Sequence, residues 1–455
     1  MKFMRSLALV AVSFSLAACD SNDSIVSTPI PAPETFNIQA LHASADAPAV
    51  NIILAGNQVA GPVDYKGGTP QLSVNAGTYP VTVEAITPSG TVDVIGPVSL
   101  SFNANTTYTI VAVGEVTAGS ANPLEPVVLS QPRDFNAAAN ARVTVLHAAP
   151  NAPQVDVYAT TPGADLTATA PLGTFSYKES LGPVEVPAAD YQLRVTLAGD
   201  PTTVVYDSGT VPLDAGADLV ISAVPSTLPG AAPISLVALD GAGPVEVADV
   251  ATPTRLRVVH ASPDAPAVDV NANGAAIVSD LTFPNVTGFL EVPADDYDVT
   301  VVPSDNPGMV VIDAGTLTLE AGVTYDVLAT GPLASIGAQI LTDDYRRVAT
   351  AAKVRIFHAS PTAQNVDIYV TAVGADINSA TPAFSNIPFN ANTGFVELPA
   401  GDYDVTVTPT GSKDAAIGPA TISIANGGLY TAIAIDAEGG GTPLGLILAD
   451  DFVSE

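Results

Sequence analysis

One phrase occurs four times in this chain and uses every histidine it has. It reads HASADAPAVNI from His42, HAAPNAPQVDV from His147, HASPDAPAVDV from His260 and HASPTAQNVDI from His358. The histidines stand 105, 113 and 98 residues apart. A repeat of this period means one structural unit made four times, so the fold is read on about 100 residues.

Two further phrases keep step with the first. VNAGTYPVTV, VPAADYQLRV, VPADDYDVTV and LPAGDYDVTV place Tyr79, Tyr191, Tyr297 and Tyr403 at matching points. NTTYTIVAVG, GVTYDVLATG and GLYTAIAID recur later in units one, three and four, while unit two carries GADLVISAV. The units therefore run over 36–135, 136–251, 252–349 and 350–455. From histidine to tyrosine the spacing is 37, 44, 37 and 45 residues. This alternation of short and long units implies that a two-unit block was duplicated and that the pair is the working unit. The extra residues of the long units, around 160–175 and 371–386, are the first place to look for a ligand.

The periodicity is that of strands. In LRVVHAS, Leu256, Val258 and His260 share one face and Arg257 and Val259 the other. In DYDVTVV, Tyr297, Val299 and Val301 share one face against Asp296, Asp298 and Thr300. Turns rich in Gly, Pro, Asn and Asp divide each unit into seven or eight such segments. The expected fold is all-β: four tandem immunoglobulin-like β-sandwich domains after a signal peptide and a short tether. Placed end to end, four such sandwiches would reach on the order of 110 Å.

The repeated residues fit structural roles. A histidine at a strand end, on the apolar parity and followed by Ser, Asp and prolines, can tie a turn through one ring nitrogen. The competing reading makes His260, Asp264 and Asp269 a metal or acid–base cluster. Its carboxylates are not kept between units: Thr362 replaces the first and Asn51 the second. The histidines His42, His147, His260 and His358 are therefore read as structural, and no metal site is assigned. Tyr79, Tyr191, Tyr297 and Tyr403 resemble the tyrosine corner of immunoglobulin-like sandwiches. The acidic pairs Asp295–Asp296, Asp343–Asp344 and Asp450–Asp451 lack the ordered spacing of a calcium loop and are read as solvated turn acids. Tyr158 and Tyr369, on matching strands of the long units, are read as ordinary strand residues, with sugar stacking as the alternative.

Composition narrows the function. Lys plus Arg is 14 against 46 Asp plus Glu, a net charge of -32. Such a surface repels the phosphate backbone, so nucleic acid is excluded as a partner. Residues 1–18 read as a lipoprotein signal peptide: Lys2 and Arg5 precede a short apolar run ending in LAAC. That ending resembles the bacterial lipobox, which implies cleavage before Cys19 and its lipidation. Cys19 is the single cysteine, so the mature fold holds no internal disulfide. Residues 19–35 read as a lipid-anchored Ser/Pro-rich tether. The expected location is the bacterial envelope, on the periplasmic face of the inner or outer membrane or at the cell surface. Asp20 resembles an inner-membrane retention signal.

No H-E-x-x-H, G-x-S-x-G or phosphate-binding loop is present, so the chain is not read as an enzyme and no cofactor is expected.

The phrases VRIFHASP…VDIY and LPAGDYDVTV together resemble the bacterial family called domain of unknown function 4397. Both elements stand in all four units, over about 37–455. The resemblance implies export, often with lipidation, and transfers no active site. The expectation is a binding or adhesion module whose partner is a glycan or an envelope protein. The alternatives are a passive stalk and, third, a polysaccharide hydrolase.

Overall fold

The computed structural model of the chain describes residues 34–135, 138–342 and 344–453. Among these residues there are eight β-sheets and only three single-turn 3-10 helices. Each unit holds two sheets, and no sheet draws strands from two units. The strands of the units fall within 35–132, 140–247, 254–342 and 352–450.

In unit three the histidine strand Thr254–Ala261 sits between Leu290–Val292, antiparallel, and Thr324–Thr330, parallel; Gly337–Thr342 closes that sheet. The second sheet pairs Val268–Ala272 with Ala275–Leu281 and Asp295–Pro303, and the latter with Ile312–Leu319. The other units repeat this order, and unit two adds the strand Pro244–Val247. The parallel pairing was not legible in the sequence, because alternation shows which face a residue occupies and not which strand lies beside it. Leu256, Val258, Val268, Val270 and Val301 close the sandwich core of unit three.

Bulges bend these strands where glycine is required. Gly96 and Gly418 have φ of 87° and 88°, and a Cβ on either would stand 2.3 or 2.4 Å from the carbonyl oxygens of Val81 and Val405. The partner strands shift register at those points, between Val81 and Val83 and between Val405 and Val407.

The units do not form an end-to-end row. They pack in pairs through the faces of their histidine sheets. Leu41, Ala43 and Val111 of unit one share a core with Leu146, Ala148 and Val220 of unit two. Val259, Ala261 and Leu328 of unit three share another with Phe357, Ala359 and Ile433 of unit four. Alternation along the histidine strand thus feeds two cores: Leu256, Val258 and His260 face inward, and Val259 and Ala261 face the neighbouring unit. The linker of the second pair also reaches back to unit one. Arg346 donates to the carbonyls of Ala45 and Ala47 at 3.1 and 2.7 Å and pairs with Asp64, and Ala349 N donates to Asp46 O at 2.7 Å.

Candidate functional site

The repeated histidines are buried in all four units, with 0 to 4% of their surface exposed. Each ring turns back over the loop that follows it. Nε2 lies 3.0 Å from Pro48 O in unit one, 3.3 Å from Pro153 O in unit two and 3.0 Å from Pro266 O in unit three. In unit four the acceptor is Gln364 O. In three units Nδ1 accepts the amide two residues on, from Ser44, Ala149 and Ser360. These partners require the neutral tautomer with the proton on Nε2. Burial lowers the pKa of all four rings, and the carbonyl bond only partly offsets it.

The carboxylates of the phrase do not gather on the histidine. Asp264 accepts Leu333 N at 2.7 Å, tying the turn to the loop beyond the parallel strand. Asp269 accepts Asp280 N and Ser304 Oγ at 2.8 and 2.6 Å. Asp46 accepts Val116 N and Thr117 Oγ1, whereas in unit four Thr362 donates to Asp436. The same two loops are tied with donor and acceptor exchanged, which explains why the position tolerates threonine. Among the described residues no three His, Cys, Asp or Glu side chains come together as metal ligands.

The corner tyrosines also close turns. Tyr79, Tyr191, Tyr297 and Tyr403 donate to the carbonyl four residues back, at 2.9 to 3.0 Å. Tyr158 and Tyr369 are buried at 3%, so neither offers a free face for stacking. The extra residues of the long units form single turns over Leu166–Ala168 and Ile377–Ser379, capped by Asp165 and Asp376. Arg194 and Lys413 pin them through the carbonyls of Ala164, Ile377 and Ala380. These inserts are closed caps rather than open grooves. Cys19 lies outside the described residues, as does Asp343.

Asp450 corrects the solvated-acid reading, whereas Asp451 is exposed. Asp450 accepts Arg257 Nη1 across the junction of units three and four at 2.7 Å, with 5% of either side chain exposed. Asp451 pairs with Arg347 at 2.5 Å. Asp344, by contrast, is 54% exposed yet pairs with Lys353 at 2.7 Å. Asp295 and Asp296 are both exposed at the start of their strand.

The junction around Arg257 concentrates buried ion pairs. Six of the 14 cations, namely Arg255, Arg257, Arg346, Arg347, Lys353 and Arg355, fall between 255 and 355. Asp326 lies at the centre and accepts Arg257 Nε at 2.5 Å, Arg355 Nη2 and the Tyr345 hydroxyl at 2.5 Å. Tyr345 stands edge-on between Phe289 and Phe395, at 5.3 and 5.4 Å. Arg257 lies 4.6 Å from the Phe289 ring, and Arg355 4.7 Å from Phe395. The two units thus offer matching Arg–Phe pairs to one shared Asp–Tyr pair. Burial opposes the charge on Arg257 and on Asp326, but their mutual attraction outweighs it: the guanidinium pKa is raised and the carboxyl pKa lowered. Burial, reinforced by Asp326, raises the Tyr345 pKa, so its hydroxyl stays a donor.

Units one and two carry a less charged version. Gln39 bonds Thr109 at 3.0 Å, Thr144 bonds Gln131 at 3.1 Å, and Arg142 pairs with Asp218 at 2.6 Å. A cleft of about 670 Å3 opens beside the charged junction, lined by Arg255, Arg257, Phe289, Tyr345, Arg347 and Asp450 among others. The sequence reading missed this site. Its signal was present in the outward parity of Arg255 and Arg257, repeated by Lys353 and Arg355.

The fold and junctions define a protein of tandem β-sandwiches joined in face-to-face pairs. The chain belongs to the family described as "Domain of unknown function (DUF4397)", whose model matches residues 36–158, 254–369 and 352–455. Two of these segments run past the end of one unit into the first strands of the next. No curated protein matches the chain. Among solved structures, the Bacillus anthracis TIE protein aligns at 11% identity and a TM-score of 0.16, over 85% of this chain and 65% of that one. The chain therefore spans less than two thirds of that protein's length.

Proposed function

We propose that this is a lipid-anchored envelope protein that acts as a binding or adhesion module, and that its binding unit is the two-domain pair. Cys19 supplies the anchor and residues 20–35 the reach to the first sandwich. The observation that carries the reading is the apolar core shared between units three and four, together with the polar cleft beside it. A passive spacer needs only short linkers between independent domains. Here the second unit completes the surface of the first, so the cleft belongs to neither alone. Closed inserts and turn-tied histidines leave this junction as a place where charged groups are concentrated beside open space.

The test is an array of glycans and envelope proteins probed with residues 253–455, beside each unit alone. Saturable binding by the pair, weaker for either half, is expected. Silence of the pair on both glycans and proteins would move the assignment to the stalk.

A further inference from the structure

Resting on the reading of the pair as a binding unit, we propose that the cleft at the junction of units three and four takes a carboxylate from a protein partner, and that Arg255 is the residue that holds it.

Arg255 differs from its counterparts. The residue five before the histidine is Asn37, Arg142, Arg255 and Lys353 in the four units. Arg142 is paired with Asp218 and Lys353 with Asp344. Arg255 makes no ion pair among the described residues. The one hydrogen bond of its guanidinium among the described residues goes from Nε to the Thr324 hydroxyl at 3.3 Å. Glu291 stands opposite it in the ladder but accepts Gly230 N at 3.2 Å instead. The guanidinium is nevertheless held in place, 4.6 Å from the Phe289 ring and 5.7 Å from Tyr345. It is only partly buried and lines the open cleft.

A guanidinium fixed by aromatic rings, with its terminal nitrogens unclaimed, is ready for a two-point bond to a carboxylate. The local charge agrees. Among the described side chains that line the cleft, Arg255, Arg257 and Arg347 face Asp450 and Asp451, and the guanidinium left over is Arg255.

The charge of the whole chain selects the bearer of that carboxylate. At -32, the protein repels an extended polyanion such as a polyuronate and attracts a basic chain. One surplus cation suits one carboxylate, from a chain end or from an Asp or Glu side chain. Phe289 has guanidiniums of both Arg255 and Arg257 against it, so it is already engaged and is a poor platform for a pyranose ring.

The test uses the full chain purified in detergent. Immobilised basic pentapeptide libraries are offered in three forms: a free C-terminal carboxylate, a carboxamide end, and a carboxamide end with one internal Glu. A polyuronate oligosaccharide is the fourth arm. Retention of the first or third form over the plain carboxamide is expected, and the better of the two names the source. Arg255→Ala should weaken that binding at least about tenfold, as loss of a charge-assisted pair does. Arg255→Lys should restore part of it, and added salt should weaken the wild type more than the variant. A small fall in thermal midpoint is expected for Arg255→Ala, which gives up one long hydrogen bond and the ring contacts of a partly exposed guanidinium, and a smaller one for Arg255→Lys. Equal retention of acid and amide, preference for the polyuronate, or binding indifferent to Arg255 would overturn the site. In the last two cases the pair could still be a binding unit, so this site and that reading fail separately.

Discussion

Arg257 of unit three and Asp450 of unit four lie 193 residues apart in the chain and meet across the junction at 2.7 Å. With Asp326 and Arg355 they form a buried network whose ion pairs cross the junction, Arg257 to Asp450 and Arg355 to Asp326. Removing one partner from such a network strands a charge. Asp326→Ala leaves Arg257 and Arg355 without their common acceptor, and the expected loss is about 3–5 kcal/mol. Denaturant unfolding of the full chain should show it in the transition of units three and four. Replacing Asp326, Arg257, Arg355 and Asp450 together by apolar residues should cost far less, because no charge is left unpaired. An Asp326→Ala protein as stable as wild type would mean the network is not formed.

The apolar half of the junction makes a separate prediction. Phe357 is 1% exposed and packs in the core shared by units three and four. Phe357→Ala should cost about 3–5 kcal/mol, as truncations of buried aromatic side chains do. The pair should then unfold in two steps where the wild type unfolds in one, seen as two calorimetric transitions. A single transition in the variant at the wild-type temperature would show that the units are coupled some other way.

The contrast between the two halves of the junction shows what was legible beforehand. Alternation in LRVVHAS put His260 on the core face, and the SPDAP turn put a carbonyl within reach of its ring. Both features are local, within six residues, so sequence carries them. The pairing of units was visible only as an alternation of spacing. The outward parity of Arg255 and Arg257 was visible, but their partners were not, because Arg257, Tyr345 and Asp450 meet through contacts that no local period records. Asp450 read as solvated for the same reason: a turn acid and an interface acid have identical neighbours in sequence.

The corner tyrosines allow a cleaner substitution. Tyr297 donates to Pro293 O at 2.9 Å from an exposed turn. Tyr297→Phe removes the hydroxyl and leaves the ring packed in its place. The expected loss is about 1 kcal/mol, the net worth of one hydrogen bond, measured by urea unfolding. A loss above roughly 3 kcal/mol would mean that the hydroxyl holds more than this turn.

Chelation tests the absence of a metal role. The carboxylates of the repeated phrase are satisfied by amides and hydroxyls, as at Asp46, Asp264 and Asp269. EDTA should leave the melting temperature within about 1 °C of its starting value, because a ligand that stabilises does so by mass action. A fall of several degrees, reversed by calcium, would place a cation in these loops.

Acid should act through the four histidines before it acts through the carboxylates. Burial holds each ring pKa below the ordinary 6.5. The unfolded chain then binds protons as pH falls through 6.5 while the folded chain does not. Stability is full above about pH 6.5 and declines as pH drops from there toward the lowered folded values. Relief of self-repulsion in a chain of charge -32 works the other way, so the histidine contribution is read as a difference. His260→Gln removes one titrating ring together with its bond to Pro266 O. The variant should be less stable at pH 7.5, by about 2 kcal/mol for a lost buried bond and imperfect filling. Its deficit should shrink between pH 6.5 and 5, because the wild type alone carries the extra proton linkage. A deficit that grows on acidification would mean that His260 is charged in the folded protein and gains a partner there.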